Sequence, residues 1–410
     1  MPSSKVATCR SCGQSGLQPV LDLGKTPLAD RLVSAAQLDE PEPQYPLEVV
    51  FCPHCGLLQI LETVPPQVLF CEDYPYYSSF SDALLRHSRA NVLDLIARRG
   101  LGADSLAVEL ASNDGYLLRN YAEAGIPVLG IDPAEGPARA AEAIGVPTLN
   151  RFFTADLARQ LAGEGRRADV VHGNNVLAHV ADTNGFVQGI ATLLKDTGVA
   201  VIEVPYVKDL IEHCEFDTIY HEHLCYFSVT AVDHLLRRHG LYLNEVRRLP
   251  IHGGSLRLYV ERIERTGPTV RELLALEAAL GVDRIDFYRD FARRVERVKS
   301  DLLALLRRLK GDGRSIAAYG AAAKGATLIN YIGLGPGLID FVVDRNVHKQ
   351  GKYMPGRHIP IHGPRMLLET QPDYVLLLAW NFAQEIMDQQ AEYRRRGGRF
   401  IIPLPEPRVL

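Results

Sequence analysis

Short apolar runs alternate with helix-period segments through the middle of the chain. Residues 106–110 form an apolar run that fits a strand buried in a parallel sheet. A small, polar turn follows, Ala111-Ser112-Asn113-Asp114-Gly115, and then Leu117, Leu118, Tyr121 and Ala122 recur at helical spacing. Gly125 stops that helix, and residues 128–131 form a second buried strand ending in Asp132. The pattern then predicts a helix at 138–144 and strands at 146–149, 168–172 and 198–204. This alternation implies a doubly wound parallel sheet. A helix at 81–99 leads into it, and a helix at 229–238 and a strand at 256–261 follow it. Residues 270–309 read as two helices broken near Gly281, with charges that are most simply a solvated face. Residues 315–327 repeat the strand–turn–helix pattern, and later strands are expected at 339–344, 374–378 and 399–403. They predict a second, smaller α/β domain.

A chain of 410 residues is too long for one typical core and implies two or three domains. The net charge of −4 argues against a nucleic-acid footprint. No apolar run approaches the roughly 20 residues of a membrane span, and the first residues lack a signal-peptide core. Four of the seven cysteines lie in C-x-x-C pairs, which suits a reducing cytosol better than disulfides, so a cytoplasmic location is expected.

Those pairs are Cys9/Cys12 and Cys52/Cys55, each followed by a glycine, Gly13 or Gly56. The glycines relieve the tight turn that aims N–H groups at sulfur. Four thiolates suit tetrahedral Zn²⁺ in a closed, structural site. A redox dithiol or free cysteines are the alternatives.

The turn after the first central strand carries one glycine and two acids, Glu109 and Asp114. A pyrophosphate would be repelled there, whereas a cationic sulfonium and its amino group are suited. The turn therefore reads as an S-adenosylmethionine (SAM) site, with Glu109, Ala111, Asn113, Asp114 and Gly115 around the ligand and Asp132 for the ribose diol. Asn174, Asn175 and His179 follow the fourth strand, at the carboxyl ends where ligands sit in open α/β sheets. An ordinary βαβ unit without ligand is the alternative.

The segment Tyr220-His221-Glu222-His223 concentrates titratable side chains. His223 suits proton removal, and Glu222 or Tyr220 could orient it or bind substrate. A rival is a metal site using His221 and His223, and a polar loop is a third reading. Upstream, Tyr74, Tyr76 and Ser79 could line a substrate cleft or belong to a packed linker with an N-cap serine. Gly254 permits close backbone approach to a ligand or marks a β-bulge. The second strand–turn–helix has small residues and Lys324, which suit a phosphate, and Asn381 follows a later strand end. A degenerate duplicate is the other reading.

The two C-x-x-C pairs, Y-P-Y-Y-S-S, V-E-L-A-S-N-D-G-Y-L-L, N-N-V-L-A-H-V, I-Y-H-E-H-L-C-Y-F-S and H-G-G-S-L-R occur in one chain. It resembles the SAM-dependent deoxysugar C-methyltransferases that act on nucleotide-linked 4-keto sugars, the tetronitrose C-3-methyltransferase type. The resemblance implies an α/β protein of three parts: a zinc-binding module at 1–72, a central class I SAM methyltransferase Rossmann-like domain at 73–250, and a smaller Rossmann-like nucleotide-sugar domain at 251–410. It also implies the histidine of the Tyr220-x-Glu222-His223 motif as base, with His179 and Tyr220 in the same active-site group, and it favours dTDP as the nucleotide. Methylation beside the C-4 ketone is expected, with C-3 favoured and C-5 open. O- or N-methylation of a sugar, or a non-catalytic scaffold, are the alternatives. The oligomeric state is not legible.

Overall fold

The computed structural model describes residues 3–70 and 76–410, apart from the side chain of His252. Tyr74, expected to line the substrate cleft, lies outside the described residues.

Seven strands build the central sheet: β1 Ala107–Leu110, β2 Val128–Ile131, β3 Thr148–Leu149, β4 Ala168–Asn174, β5 Leu194–Pro205, β6 Tyr242–Leu249 and β7 Ser255–Glu261. Their spatial order is β6-β7-β5-β4-β1-β2-β3. The five from β5 to β3 are parallel, and β7 runs antiparallel between β5 and β6. Every residue of β1 is buried, as a strand covered on both faces must be. Alternate side chains serve opposite cores: Val108 and Leu110 pack with Leu161 and Ile190, and Ala107 packs with Val92, Leu95 and Tyr121. The β6–β7 hairpin closes the sheet across the expected division at 250, with Leu249 opposite Ser255.

The N-terminal module is an antiparallel sheet of Gln18–Thr26, Tyr45–Phe51 and Leu58–Ile60. Its fourth strand, Cys225–Tyr226, comes from the segment after His223. The C-terminal sheet has the order Ile361–His362, Val342–Val343, Ile316–Tyr319, Tyr374–Leu377, Arg399–Ile402, Arg408–Val409. Its first five strands are parallel and repeat the 3-2-1-4-5 order of the central sheet.

Helices Pro268–Leu280 and Phe291–Gly311 are separated at Gly281, which adopts φ +74°. Glu277 departs from the solvated face expected there, because it is fully buried. Its carboxylate accepts from the N–H groups of Val229 and Thr230 at 2.7 and 2.8 Å and from the Tyr206 hydroxyl at 2.9 Å. It thereby caps helix Val229–Arg237 from outside. No described helix is long and apolar enough to cross a membrane.

Candidate active site

The turn after β1 bends through left-handed conformations at Ala111, Asn113 and Gly115. Asp132, at the end of β2, braces it by accepting from Asn113 N and Ala134 N, both at 2.8 Å. Burial raises the Asp132 pKa to about 6. Glu109 is raised well above its usual value by burial and by the charges of Asp132 and Asp114. Glu109 Oε2, Asp114 Oδ1 and Asn174 Oδ1 are buried and have no partner among the described residues. This is a cradle of acceptors. It fits the ammonium, sulfonium and hydroxyl groups of SAM and does not fit a pyrophosphate. Asn175, at φ +53°, hands the chain to the short helix Leu177–His179.

Tyr76 and Ser79 are brought to this turn. Asn113 Nδ2 donates to Tyr76 O at 3.1 Å, and Ser79 N donates to Asp114 Oδ2 at 3.1 Å. Between them, Ser78 N donates to Asn113 Oδ1 at 2.8 Å. Tyr77 stacks on His348 of the C-terminal domain, with ring centroids 5.1 Å apart. The segment therefore ties the SAM turn to the third domain. Ser81 caps the following helix through Leu84 N.

The base candidate is held on both ring nitrogens. His223 Nδ1 lies 2.8 Å from the Thr218 carbonyl, which can only accept, so Nδ1 carries the proton. In the neutral ring Nε2 is then an acceptor, and the Tyr220 oxygen, 3.0 Å away, can donate to it. The Tyr220 ring stacks on the imidazole at 4.1 Å, and His179 meets it edge-on at 4.7 Å. Burial pushes His179 down to about 4, so it is neutral at physiological pH. Leu224 N donates to Ala178 O at 2.7 Å, fixing the loop beside the end of β4.

Two neighbours point elsewhere. His221 turns into the N-terminal module, with Nε2 3.1 Å from Pro46 O. Among the described residues the one group able to hold a metal is the cysteine cluster, so the paired-histidine metal reading gains no support. Glu222 lines a cavity of about 650 Å³ together with Asp30, Tyr45 and Lys352. Burial, aided by Asp30, raises Glu222 to about 8. Orientation of His223 thus comes from a main-chain carbonyl and Tyr220, with Glu222 facing the cavity.

Cys9, Cys12, Cys52 and Cys55 place their sulfurs within 4.8 Å of one another. The Cys9–Cys55 and Cys12–Cys52 sulfurs are 3.5 and 3.6 Å apart. Four sulfurs at this spacing fit the shell of one tetrahedral Zn²⁺, for which Zn–S is about 2.3 Å. Gly13 and Gly56 adopt φ +74° as the knuckle turns require.

Gly254, Lys324 and Asn381 meet around one acidic cluster. Lys324 Nζ donates to Asn381 Oδ1 at 2.9 Å and lies 4.5 Å from the Trp380 ring centroid. Trp380 Nε1 donates to Asp217 Oδ2 at 2.7 Å. Burial raises Asp217 to about 6 and Glu215 to about 8, with Lys324 opposing both shifts. A Cβ on Gly254 would fall within van der Waals radii of Asp209. The charge of Lys324 is therefore matched inside the protein, which weakens it as a phosphate ligand.

The sequence reading missed a buried ion cluster below the SAM turn. Glu203, on β5, accepts from Arg257 Nε at 2.6 Å and lies 3.0 Å from His87 Nε2. Burial disfavours its ionisation, but His87 and Arg257 outweigh this and hold its pKa below the usual value. Nothing in the spacing of these residues signals the contact.

Residues 9–70 match the family model of a putative zinc binding domain, 84–246 that of a methyltransferase domain, and 250–405 that of a C-methyltransferase C-terminal domain. The C-methyltransferase NovU of Streptomyces niveus is 39% identical over 405 residues, 98% of this chain and 96% of that protein. Among solved structures, the SAM-bound magnesium protoporphyrin IX methyltransferase of Synechocystis PCC 6803 is 15% identical, with a TM-score of 0.34 over 44% of this chain and 79% of that one. The 1,6-didemethyltoxoflavin-N1-methyltransferase of Burkholderia thailandensis is 20% identical, with a TM-score of 0.34 over 44% of this chain and 78% of that one. With three family models in succession along the chain and NovU matched almost end to end, the protein belongs to the C-methyltransferase family, as a SAM-dependent enzyme with a zinc-binding N-terminal domain.

Proposed function

We propose that the protein methylates a ring carbon next to the ketone of a nucleotide-linked 4-keto deoxysugar of the dTDP type. The observation that carries this reading is the Thr218–His223–Tyr220 chain, which lies beside the short helix of His179 and in which the neutral imidazole, with its proton on Nδ1, offers Nε2 as the basic atom. Carbon is not nucleophilic until a proton leaves, and a base of this kind supplies that step. His223 takes the α-proton at Nε2. The Tyr220 hydroxyl exchanges its bond to Nε2 for one to the ketone oxygen as charge develops there. His179, neutral through burial, adds an uncharged N–H donor. SAM supplies an electrophilic methyl group. Glu109, Asp114 and Asn174 hold the cofactor by its cationic and hydroxyl groups, and Asp132 takes the ribose. Tyr76 and Ser79, fixed on the same turn, close the sugar side of the cleft, and Glu222 meets substrate hydroxyls from the cavity wall.

The test uses SAM with a ¹³C-labelled methyl group and a dTDP-4-keto-6-deoxysugar. Carbon NMR is expected to show the label bonded to a ring carbon adjacent to C-4, and it distinguishes C-3 from C-5. Label on oxygen or nitrogen contradicts the proposal.

A further inference from the structure

The cysteine cluster and His223 are far apart in sequence, yet one side chain lies between them. Gln59 is completely buried. Its Oε1 accepts from Arg10 N at 2.9 Å, and its Nε2 donates to Thr8 O at 3.5 Å, so the amide grips the chain on both sides of Cys9. Its main chain pairs with Cys225, while Leu58 pairs with Tyr226 and Ile60 N donates to Leu224 O at 3.0 Å. Tyr226 in turn donates its hydroxyl to the carbonyl of His223 at 3.0 Å. The knuckles are clamped to the central domain as well. Asn184 Nδ2 donates to the carbonyls of Arg10 and Ser11, both at 2.9 Å, and His234 Nδ1 lies 3.3 Å from Cys55 O. The cluster is thus a fixed base against which the loop is set.

We propose that Gln59 is a positioning residue that couples the four-cysteine knuckles to the loop carrying His223, so that the metal module sets the aim of the base as well as stabilising its own fold. The catalytic part of this inference rests on the assignment of His223. The coupling itself does not. Two features make the link specific. The amide joins a knuckle whose four-cysteine cluster brings its sulfurs within 4.8 Å of one another to a strand pair only two residues long. A pair that short has little order of its own, so its geometry is inherited from its neighbours. A base displaced by about 1 Å loses roughly 10²-fold in rate.

The test compares zinc-loaded wild type with Gln59→Met, which keeps the length and apolar volume and removes both amide bonds. Expected are faster amide exchange across residues 218–227 and a fall in kcat of roughly 10²-fold. Zinc content, SAM affinity and KM for the sugar should stay within about twofold, since none of their ligands is touched. Gln59→Glu, which keeps an acceptor for Arg10 N, is expected to recover most of the lost kcat. Wild-type exchange and kcat in Gln59→Met would overturn the proposal. So would zinc, SAM binding and kcat falling together, the pattern of general unfolding. Should Gln59→Met fail to fold, Tyr226→Phe removes only the last link. The same selective loss is then expected, and unchanged exchange and kcat would overturn the coupling. Amide exchange reads the coupling whether or not His223 is the base, and an error in that assignment shows separately as full activity in His223→Asn.

Discussion

At the scale of single residues, two contacts hold the His223 imidazole. A carbonyl can only accept, so Thr218 O holds a proton on Nδ1 of His223, while Nε2 lies 3.0 Å from the Tyr220 hydroxyl. The concentration of histidine, glutamate and tyrosine at 220–223 was legible in the sequence as a candidate site. Their separate contacts were not, because the partner of Nδ1 is main chain and Glu222 turns toward Asp30 through tertiary packing. The same holds for Glu203, whose partners His87 and Arg257 come from a distant helix and strand. Asp132 yields a pH prediction. Its pKa is raised to about 6 by burial, and SAM, a cation that offers a ribose diol, favours the ionised form. Affinity should therefore be nearly constant above about pH 7 and fall by up to about tenfold per pH unit below about pH 6, as protonation competes with binding. Calorimetry across that range checks it. A flat profile, or the same profile in a folded Asp132→Asn variant, contradicts the role given to Asp132.

At the scale of elements, the strand–turn–helix units were readable because short apolar runs, a small turn and a helical period coincide. Boundaries were less so: β5 begins at Leu194, where it pairs with Ala168, and not at Gly198. The anchoring of Tyr76 and Ser79 on Asn113 and Asp114 was hidden, since backbone donors and carbonyls carry much of it. Gly130, inside β2, shows how closely the SAM turn packs. A Cβ there would lie 2.6 Å from Ser112 Oγ and 2.7 Å from Thr148 Oγ1. Gly130→Ala should therefore destabilise the protein by about 1–3 kcal/mol, the usual cost of overpacking. Adding Ser112→Gly should restore part of that in thermal melts. A wild-type melting temperature for Gly130→Ala would show that the turn yields freely.

At the scale of the whole molecule, three modules converge on one loop. The residues from Phe216 to Tyr226 touch the C-terminal domain through Asp217 and Trp380, the central domain through Leu224 and Ala178, and the N-terminal sheet through Cys225 and Gln59. The order of modules was legible from the cysteine pairs and the two α/β patterns. The division near residue 250 was harder, because β7 completes a sheet whose β5 partner precedes it by about fifty residues. The cysteine cluster should hold about one Zn²⁺ per chain by metal analysis. Cys52→Ser should lose most of that metal and several degrees of melting temperature, while equal melting of metal-free and metal-loaded protein would contradict a structural site. The central claim, carbon methylation through a base at His223, is tested most directly by solvent exchange. The enzyme is incubated in D₂O with a dTDP-4-keto-6-deoxysugar and without SAM, and proton NMR follows the hydrogens beside the ketone. Wild type should wash deuterium into one position, His223→Asn should slow this by about 10²–10⁴-fold, and His179→Asn should slow it less. Exchange that survives in His223→Asn and disappears in His179→Asn would reverse the assignment, and no enzyme-dependent exchange in wild type would contradict the enolate route itself.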